Sequence, residues 1–163
     1  PSRALIGLRT VLLSLTKGYA VMQTLFEGYE PHVGEIPSRV RGALIANREG
    51  GQAMGYALFK LQDRGSFFIG PQTEVYEGMI VGECNKNEDI VVNVTKGKAL
   101  TNVRSSGADD AINLAPPRQM SLEDCVTFIN RDESIEVTPD ALRLRKQTLS
   151  ENVRKANSRK DKS

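Results

Sequence analysis

The sequence contains no tryptophan, a single histidine, His32, and only two cysteines, Cys84 and Cys125. A structural zinc site takes about four nitrogen, sulfur or oxygen ligands at close spacings, and these residues do not supply such a set. We therefore expect no metal site. The two cysteines are expected to be buried free thiols of a reducing compartment. His32 stands in a stretch rich in proline and glycine, which favours a surface position over a role as a general base.

Long apolar runs and catalytic motifs are also missing. No run approaches the roughly 18 residues that cross a bilayer, and no signal-peptide pattern is present, so no membrane partner is expected. There is no GxxxxGK[ST] motif to hold nucleotide phosphates, and Ser105-Ser106 has no histidine near it in sequence. Carboxylate pairs such as Asp132-Glu133 are interpreted as solvated surface acids. We expect this chain not to be an enzyme and to bind no cofactor or small-molecule substrate.

The net charge of +2 hides an asymmetry between the body of the chain and its end. The last 23 residues contain eight basic side chains and only two acidic ones, whereas the preceding residues are mildly acidic; the basic residues are Arg143, Arg145, Lys146, Arg154, Lys155, Arg159, Lys160 and Lys162. Such a basic end indicates either a polyanionic partner or a solubilising tail, and composition does not decide between them.

Hydrophobic periodicity predicts short helices and strands in an α+β arrangement. Helices are predicted at 4–15, 53–61, 121–131 and after Thr148, and strands at 19–27, 42–48, 67–69, 79–84, 90–95, 135–138 and 141–146. The polar run 85–89 is predicted to close a hairpin between two of these strands. Since no long helices separate the strands, the sheet should be mainly antiparallel. Capping boxes are predicted at Ser121–Asp124 and Thr148–Glu151.

The stretch KGKALTNVRSSGADDA, residues 96–111, follows an apolar strand and is longer than most connections. Its basic half carries groups that contact RNA phosphates and 2′-hydroxyls. The candidate RNA-binding residues are Lys96, Lys98, Asn102 and Arg104, followed by Arg143, Arg145 and Lys146 on the strand 141–146. Arg143 and Arg145 share one face of that strand. The alternatives, a mobile surface loop and ordinary surface charge, stay open on these grounds.

Several stretches together resemble the C-terminal part of the BipA/TypA family of ribosome-binding translational GTPases, which are related to elongation factor G. They are PSRALIGLRT, ALFKLQDRGSFFIGPQTEVYEGMIVGE, LTNVRSSGADDA and IEVTPDALRLRKQTLSENVRK. The resemblance runs in order over nearly the whole chain, and TEVYEGMIVGE together with LTNVR is its most specific part.

The resemblance implies three regions. Residues 1–30 would be the second half (a helix and the last strand) of a ferredoxin-like domain similar to the fifth domain of elongation factor G. Residues 31–147 would be the family's own C-terminal domain, mainly antiparallel and rich in β-strands, and residues 148–163 a basic C-terminal helix or tail. The GTPase domain, with its GTP and Mg²⁺, would lie outside this sequence.

The resemblance also implies a function for the chain, which is non-catalytic docking on the ribosome. Its partners would be large-subunit rRNA and the acceptor end of A-site tRNA, with the loop 96–111 reaching toward the peptidyl-transferase centre. The parent protein would support ribosome assembly or stress-adapted translation in the bacterial cytoplasm or an organellar stroma, and this fragment is expected to be a monomer. The alternative is a protein-interaction domain that uses its sheet edge and the helix 121–131.

Overall fold

The computed structural model describes residues 1–32, 34, 39–47, 49–97 and 113–160. Its helices are the 3-10 turns Ser2–Leu5 and Gln62–Arg64 and the α-helices α1 (Leu8–Leu15), α2 (Gly55–Leu61), α3 (Leu122–Phe128) and α4 (Glu151–Lys160). Its strands are β1 (Ala43–Ala46), β2 (Gly51–Gln52), β3 (Gly65–Phe67), β4 (Glu74–Val75), β5 (Met79–Cys84), β6 (Ile90–Val92), β7 (Glu133–Val137) and β8 (Leu142–Lys146). Among the described residues, no helix has both the length and the apolar character needed to span a bilayer.

The main sheet has six strands within the described ranges, in the order β6-β1-β5-β8-β7 with β3 beside β5. β3 and β8 share one edge of β5, since β3 pairs with its carboxyl-terminal half and β8 with its amino-terminal half. The pairing of β1 with β6 is parallel, and the others in this sheet are antiparallel. β2 and β4 form a separate antiparallel pair. The predicted α+β class with a mainly antiparallel sheet is confirmed.

Helices cover both faces of this sheet. Leu44 and Ala46 of β1 join the core that contains Leu58 of α2, and we call this side the α2 face. Ala43 and Ile45 join the core that contains Cys125 and Phe128 of α3, and we call that side the α3 face. Because side chains alternate along a strand, a strand that is buried on both faces needs apolar residues at consecutive positions. The four residues of β1, ALIA, have this pattern and are all buried.

The locally encoded elements lie where the sequence predicts them. Strands occur within 42–48 and at 79–84, and helices occur within 53–61 and 121–131. α3 begins with the predicted capping box: the Asp124 amide donates to Ser121 Oγ at 3.2 Å, and the Ser121 amide donates to Asp124 Oδ2 at 3.0 Å. Hydrogen bonds from the Ser121 hydroxyl and amide lower the pKa of Asp124. A cap of this kind stabilises a helix by about 1 kcal/mol.

The predicted hairpin between 79–84 and 90–95 is wrong. β5 and β6 are not neighbours, because β1 lies between them and pairs with both. Residues 85–89 therefore lead across the end of β1, and Asp89 accepts a hydrogen bond from the Ala43 amide at 2.7 Å. In a central position, β1 buries apolar side chains on both faces of the sheet. This burial outweighs the advantage of pairing β5 and β6 directly because they are adjacent in sequence.

The predicted strand at 19–27 is also wrong. These residues have no regular secondary structure, and Tyr19, Val21 and Leu25 are 88%, 86% and 96% exposed. No strand within the described ranges pairs with them, and a β-strand needs a partner for its backbone groups. The residue before the preceding helix, by contrast, contacts the body of the domain: Gly7, at φ +77°, lies so close to the side chain of Thr127 that a Cβ would not fit there.

The second capping box, at Thr148–Glu151, is not formed as predicted. The Glu151 amide at the start of α4 donates instead to Oε1 of Glu77, at 2.8 Å. Glu77 lies in the turn before β5, so this cap joins α4 to the sheet. The negative carboxylate also suits the positive end of the helix dipole.

Candidate RNA-contact surface

The incoming stem of the loop 96–111, which consists of residues 93–95, is held by hydrogen bonds. The Val94 carbonyl accepts from the Met54 amide at 2.8 Å, and the Val94 side chain is fully buried. The Thr95 hydroxyl donates to the carbonyl of Glu49 at 3.3 Å, and the Asn93 amide group donates to the Glu49 carboxylate at 2.5 Å. Lys96 follows directly and is exposed. The stem therefore fixes the position from which Lys96 projects.

The outgoing stem is the segment 113–120, which begins on the α2 face and ends at Met120, against the core of the α3 face. Leu114 packs against the core of the α2 face, close to Gly55 at the start of α2. Arg118 is anchored twice: its amide donates to the Phe67 carbonyl at 2.8 Å, and its guanidinium contacts Glu83 Oε2 at 3.0 Å. This segment returns the chain from the loop to the body of the domain.

The two stems converge on the first residues of α2. Met54 binds the incoming stem and Gly55 lies against Leu114 of the outgoing stem. The segment between them leaves from and returns to one place on the α2 face. Three of the predicted contact residues, Lys98, Asn102 and Arg104, lie outside the described residues.

Arg143 and Arg145 on β8 share one face of the strand, as predicted. Arg145 is paired with Met79, whose side chain belongs to the core of the α2 face, so the two arginines lie on the side that carries the loop stems. Arg145 Nε lies 2.6 Å from Glu136 Oε1, and the Tyr76 hydroxyl donates to Glu136 Oε2 at 2.5 Å. Burial, and then the bond to Glu136, raise the pKa of Tyr76 above its ordinary value. Tyr76 is therefore neutral and acts as a donor at physiological pH.

Lys146 lies on the opposite face of the strand and is not brought together with the two arginines. Its side chain is 3% exposed, and its ammonium contacts three carboxylates: Asp89 at 2.6 Å, Asp132 at 2.7 Å and Glu133 at 2.8 Å. Burial alone would lower the pKa of Lys146, but these bonds outweigh it and raise that pKa. With its charge engaged in this way, Lys146 is a weaker candidate for an RNA contact than Arg143 or Arg145.

Arg39 completes this buried charge cluster. Its guanidinium makes two bonds of 2.7 Å to the Glu133 carboxylate and stacks over the ring of Phe128, with its Cζ 4.4 Å from the centroid. Burial would raise the pKa of Asp89, but the bonds from Lys146 and the Ala43 amide outweigh it and lower that pKa. The cluster therefore ties the segment before β1 to the ends of β7 and β8.

Comparison with known proteins identifies the family. The TypA/BipA C-terminal domain matches residues 41–151, which is most of the chain. The chain belongs to the TypA/BipA family.

The relatives extend this match to both ends of the chain. The "Large ribosomal subunit assembly factor BipA" of Bacillus subtilis is 45% identical over 163 residues, covering 99% of this chain and 26% of that protein. The protein of the same name from Salmonella typhimurium is also 45% identical, with 27% of its length covered, and that from Haemophilus influenzae is 48% identical over 160 residues. The chain spans about a quarter of the length of these curated relatives.

The TypA/BipA C-terminal domain contains every strand described here and both loop stems.

In the part of the chain that the structure describes, no group of three or more His, Cys, Asp or Glu side chains could hold a metal ion. Cys84 and Cys125 are free and buried, as predicted, in the cores of the two opposite faces.

Three residues with structural roles on the two faces are not predicted from the sequence: Glu136 and Tyr76 on the α2 face, and Arg39 in the charge cluster of the α3 face. Glu136 lies across from Arg143 in the β7–β8 hairpin, so the hairpin register around Pro139-Asp140 could have indicated it. Tyr76 and Arg39 reach their partners over 60 and 94 positions of sequence, and no local pattern signals those contacts.

Proposed function

We propose that this chain is a non-catalytic RNA-docking region of a ribosome-binding translational GTPase. The observation that carries the proposal is the 45% identity, over 99% of the chain, to proteins named large ribosomal subunit assembly factors. On this proposal the chain contacts large-subunit rRNA and the acceptor end of A-site tRNA. The parent protein then acts in ribosome assembly or in stress-adapted translation.

The geometry of the α2 face supports this proposal. Exposed Lys96 follows a stem fixed by Val94, and the arginines of β8 lie on the same side of the sheet. Phosphate contacts position a protein on RNA, and arginine suits them through its planar fork of donors. A loop that leaves from and returns to one anchored place loses less conformational entropy on binding than a free tail does.

On this proposal, GTP binding and hydrolysis take place in another domain of the parent protein. GTP and Mg²⁺ would be bound by its GTPase domain, and this chain would supply only binding free energy and orientation. The fragment should accordingly show no GTP turnover.

The test is the double substitution Lys96→Glu with Lys98→Glu in the full-length parent protein. We expect co-sedimentation with large ribosomal subunits to weaken by at least about ten-fold, because two attractive phosphate contacts become repulsive. The matched control is Lys17→Glu with Lys86→Glu, two exposed lysines that belong to neither stem. Equal binding by the test and control variants would remove the loop from the interface.

A protein-interaction role is the second candidate, and exposed apolar residues favour it. Leu122 and Val126, one turn apart on α3, are 50% and 47% exposed, and Val137 on the edge strand β7 is 66% exposed. Ribonuclease treatment separates the two functions. Partner capture that survives the treatment supports a protein partner, and capture that is lost supports RNA docking.

A further inference from the structure

A groove of about 880 Å³ lies between α4 and the α3 face of the sheet, at the strands β1 and β6. Its floor is apolar, formed by partly buried Val91 and buried Ile45, and its wall is one side of α4. The polar and charged lining residues are Asp89, Asp132, Lys146, Gln147, Thr148, Glu151, Arg154, Lys155, Asn157, Ser158 and Arg159. Its volume falls in the range of sites that hold small organic ligands.

Two of the four basic residues that line the groove are already paired. Lys146 is neutralised by the carboxylates of the buried cluster, and Lys155 contacts Glu151 at 2.5 Å. Arg154 and Arg159 remain. Arg159 is exposed, and it makes no hydrogen bond or ion pair within the described residues. The positive charge available to a ligand is therefore concentrated on two arginines of α4.

Arg154 has a donor that the fold leaves unused. Its Nη1 donates to the carbonyls of Thr148 and Leu149, which holds the side chain against the start of α4. Its Nη2 is buried and has no hydrogen-bond partner among the described residues. A buried donor without an acceptor is destabilising and rare in native proteins. An anionic acceptor that entered the groove would satisfy this donor.

We propose that the groove receives one nucleotide of a single-stranded RNA, with its phosphate on Arg154 and Arg159 and its base against Val91. The inference rests on the proposed RNA-docking function and adds a second contact site, on the opposite face of the sheet from the loop stems. Arginine forks match phosphate oxygens, and the apolar floor suits the face of a base. Asn157 and Ser158 can contact the ribose 2′-hydroxyl, as such side chains do in RNA complexes.

The first experiment measures the affinity of the 163-residue chain for a single-stranded RNA hexanucleotide by fluorescence anisotropy at fixed salt. We expect Arg154→Gln with Arg159→Gln to weaken binding by about ten-fold, because two charge-assisted contacts are lost. Lys17→Gln with Lys86→Gln removes the same charge elsewhere and should change the affinity less than about two-fold. Arg159→Gln alone breaks no hydrogen bond or ion pair among the described residues, so a weakening of about three-fold there excludes loss of folding as the cause.

The second experiment locates the RNA by following methyl signals during titration with the same hexanucleotide. We expect the Val91 methyl signals to shift. Unmoved Val91 signals, or equal weakening by the test and control pairs, would overturn the groove site. Equally tight binding of a mononucleotide or of polyglutamate would overturn the assignment to RNA. If ribosome binding still depends on Lys96 and Lys98 in any of these cases, the proposed function stands without the groove.

Discussion

Lys146 and Arg145 are sequence neighbours, yet their surroundings give them different roles. Arg145 shares Glu136 with Tyr76 on the α2 face, whereas Lys146 is enclosed by three carboxylates on the α3 face. Alternation along β8 places Leu144 and Lys146 on one side, and the burial of Leu144 could have indicated where Lys146 points. The carboxylates that receive it, from residues 89, 132 and 133, could not be found from local sequence.

Removal of Lys146 should be costly at the residue scale. Lys146→Met removes one of the two cations that Asp89 and Glu133 share, the other being Arg39, and breaking a buried ion pair from one side typically costs about 3–5 kcal/mol. We expect the free energy of unfolding, measured in urea, to fall by about 3 kcal/mol. Lys155→Met removes an exposed pair of α4 and should cost about 0.5 kcal/mol or less. Similar losses in the two variants would contradict the enclosed cluster.

The same cluster predicts a dependence of stability on acid pH. The folded pKa of Asp89 is lowered, so the native state binds fewer protons there than the unfolded state. The stabilising contribution of Asp89 is complete above its pKa in the unfolded state, which is about 3.9. This contribution is lost as the pH falls through the lower pKa of the folded state. The difference in unfolding free energy between the wild type and Asp89→Asn should therefore be constant near neutral pH and shrink below about pH 4. A difference that grows on acidification would refute the assigned sign.

At the scale of elements, α4 depends on a residue far away in sequence. Glu77 caps its first amide, whereas the local pattern predicts Thr148. Glu77→Ala should lower the free energy of unfolding by about 1 kcal/mol and speed amide exchange within α4. Thr148→Ala should change the stability by less than about 0.5 kcal/mol. A larger loss of stability in Thr148→Ala than in Glu77→Ala would show that Thr148 caps α4, as the local pattern predicts.

The elements differ in how far the sequence predicts them. α3 is predictable because Ser121, Asp124 and the apolar spacing all act within one helical turn. β5 is predictable because its apolar run is bounded by turn residues. The position of β6 in the sheet is not predictable from the sequence. Its pairing with β1 joins residues 44–46 to residues 90–92 and depends on which strand is buried on both faces. Strand identity is encoded locally here, whereas strand order is not.

The segment 19–27 shows the same limit from the other side. Its alternation of apolar residues favours a strand, yet no strand within the described residues pairs with it, and Tyr19, Val21, Leu25 and Phe26 are exposed. The α2-face candidate site was predictable only in part. Composition indicated the loop and the β8 arginines, but the convergence of both stems on Met54 and Gly55 is a property of the fold.

At the scale of the whole molecule, RNA docking predicts a definite response to salt. The logarithm of the binding constant should fall linearly with the logarithm of salt concentration, since each neutralised phosphate releases counterion. Lys96→Gln with Lys98→Gln should reduce that slope by about 1.4, which corresponds to two single-strand phosphate contacts. An unchanged slope in large-subunit binding assays would mean that neither lysine contacts a phosphate.

The most direct test of the docking proposal is a map of the full-length parent protein bound to the large ribosomal subunit. It would show which face of this domain meets RNA. We expect residues 96–104 to contact rRNA or the acceptor end of tRNA near the A site, with Arg143 and Arg145 turned toward the same RNA. A map in which the α2 face points into solvent while α3 and the β7 edge contact a ribosomal protein would contradict it.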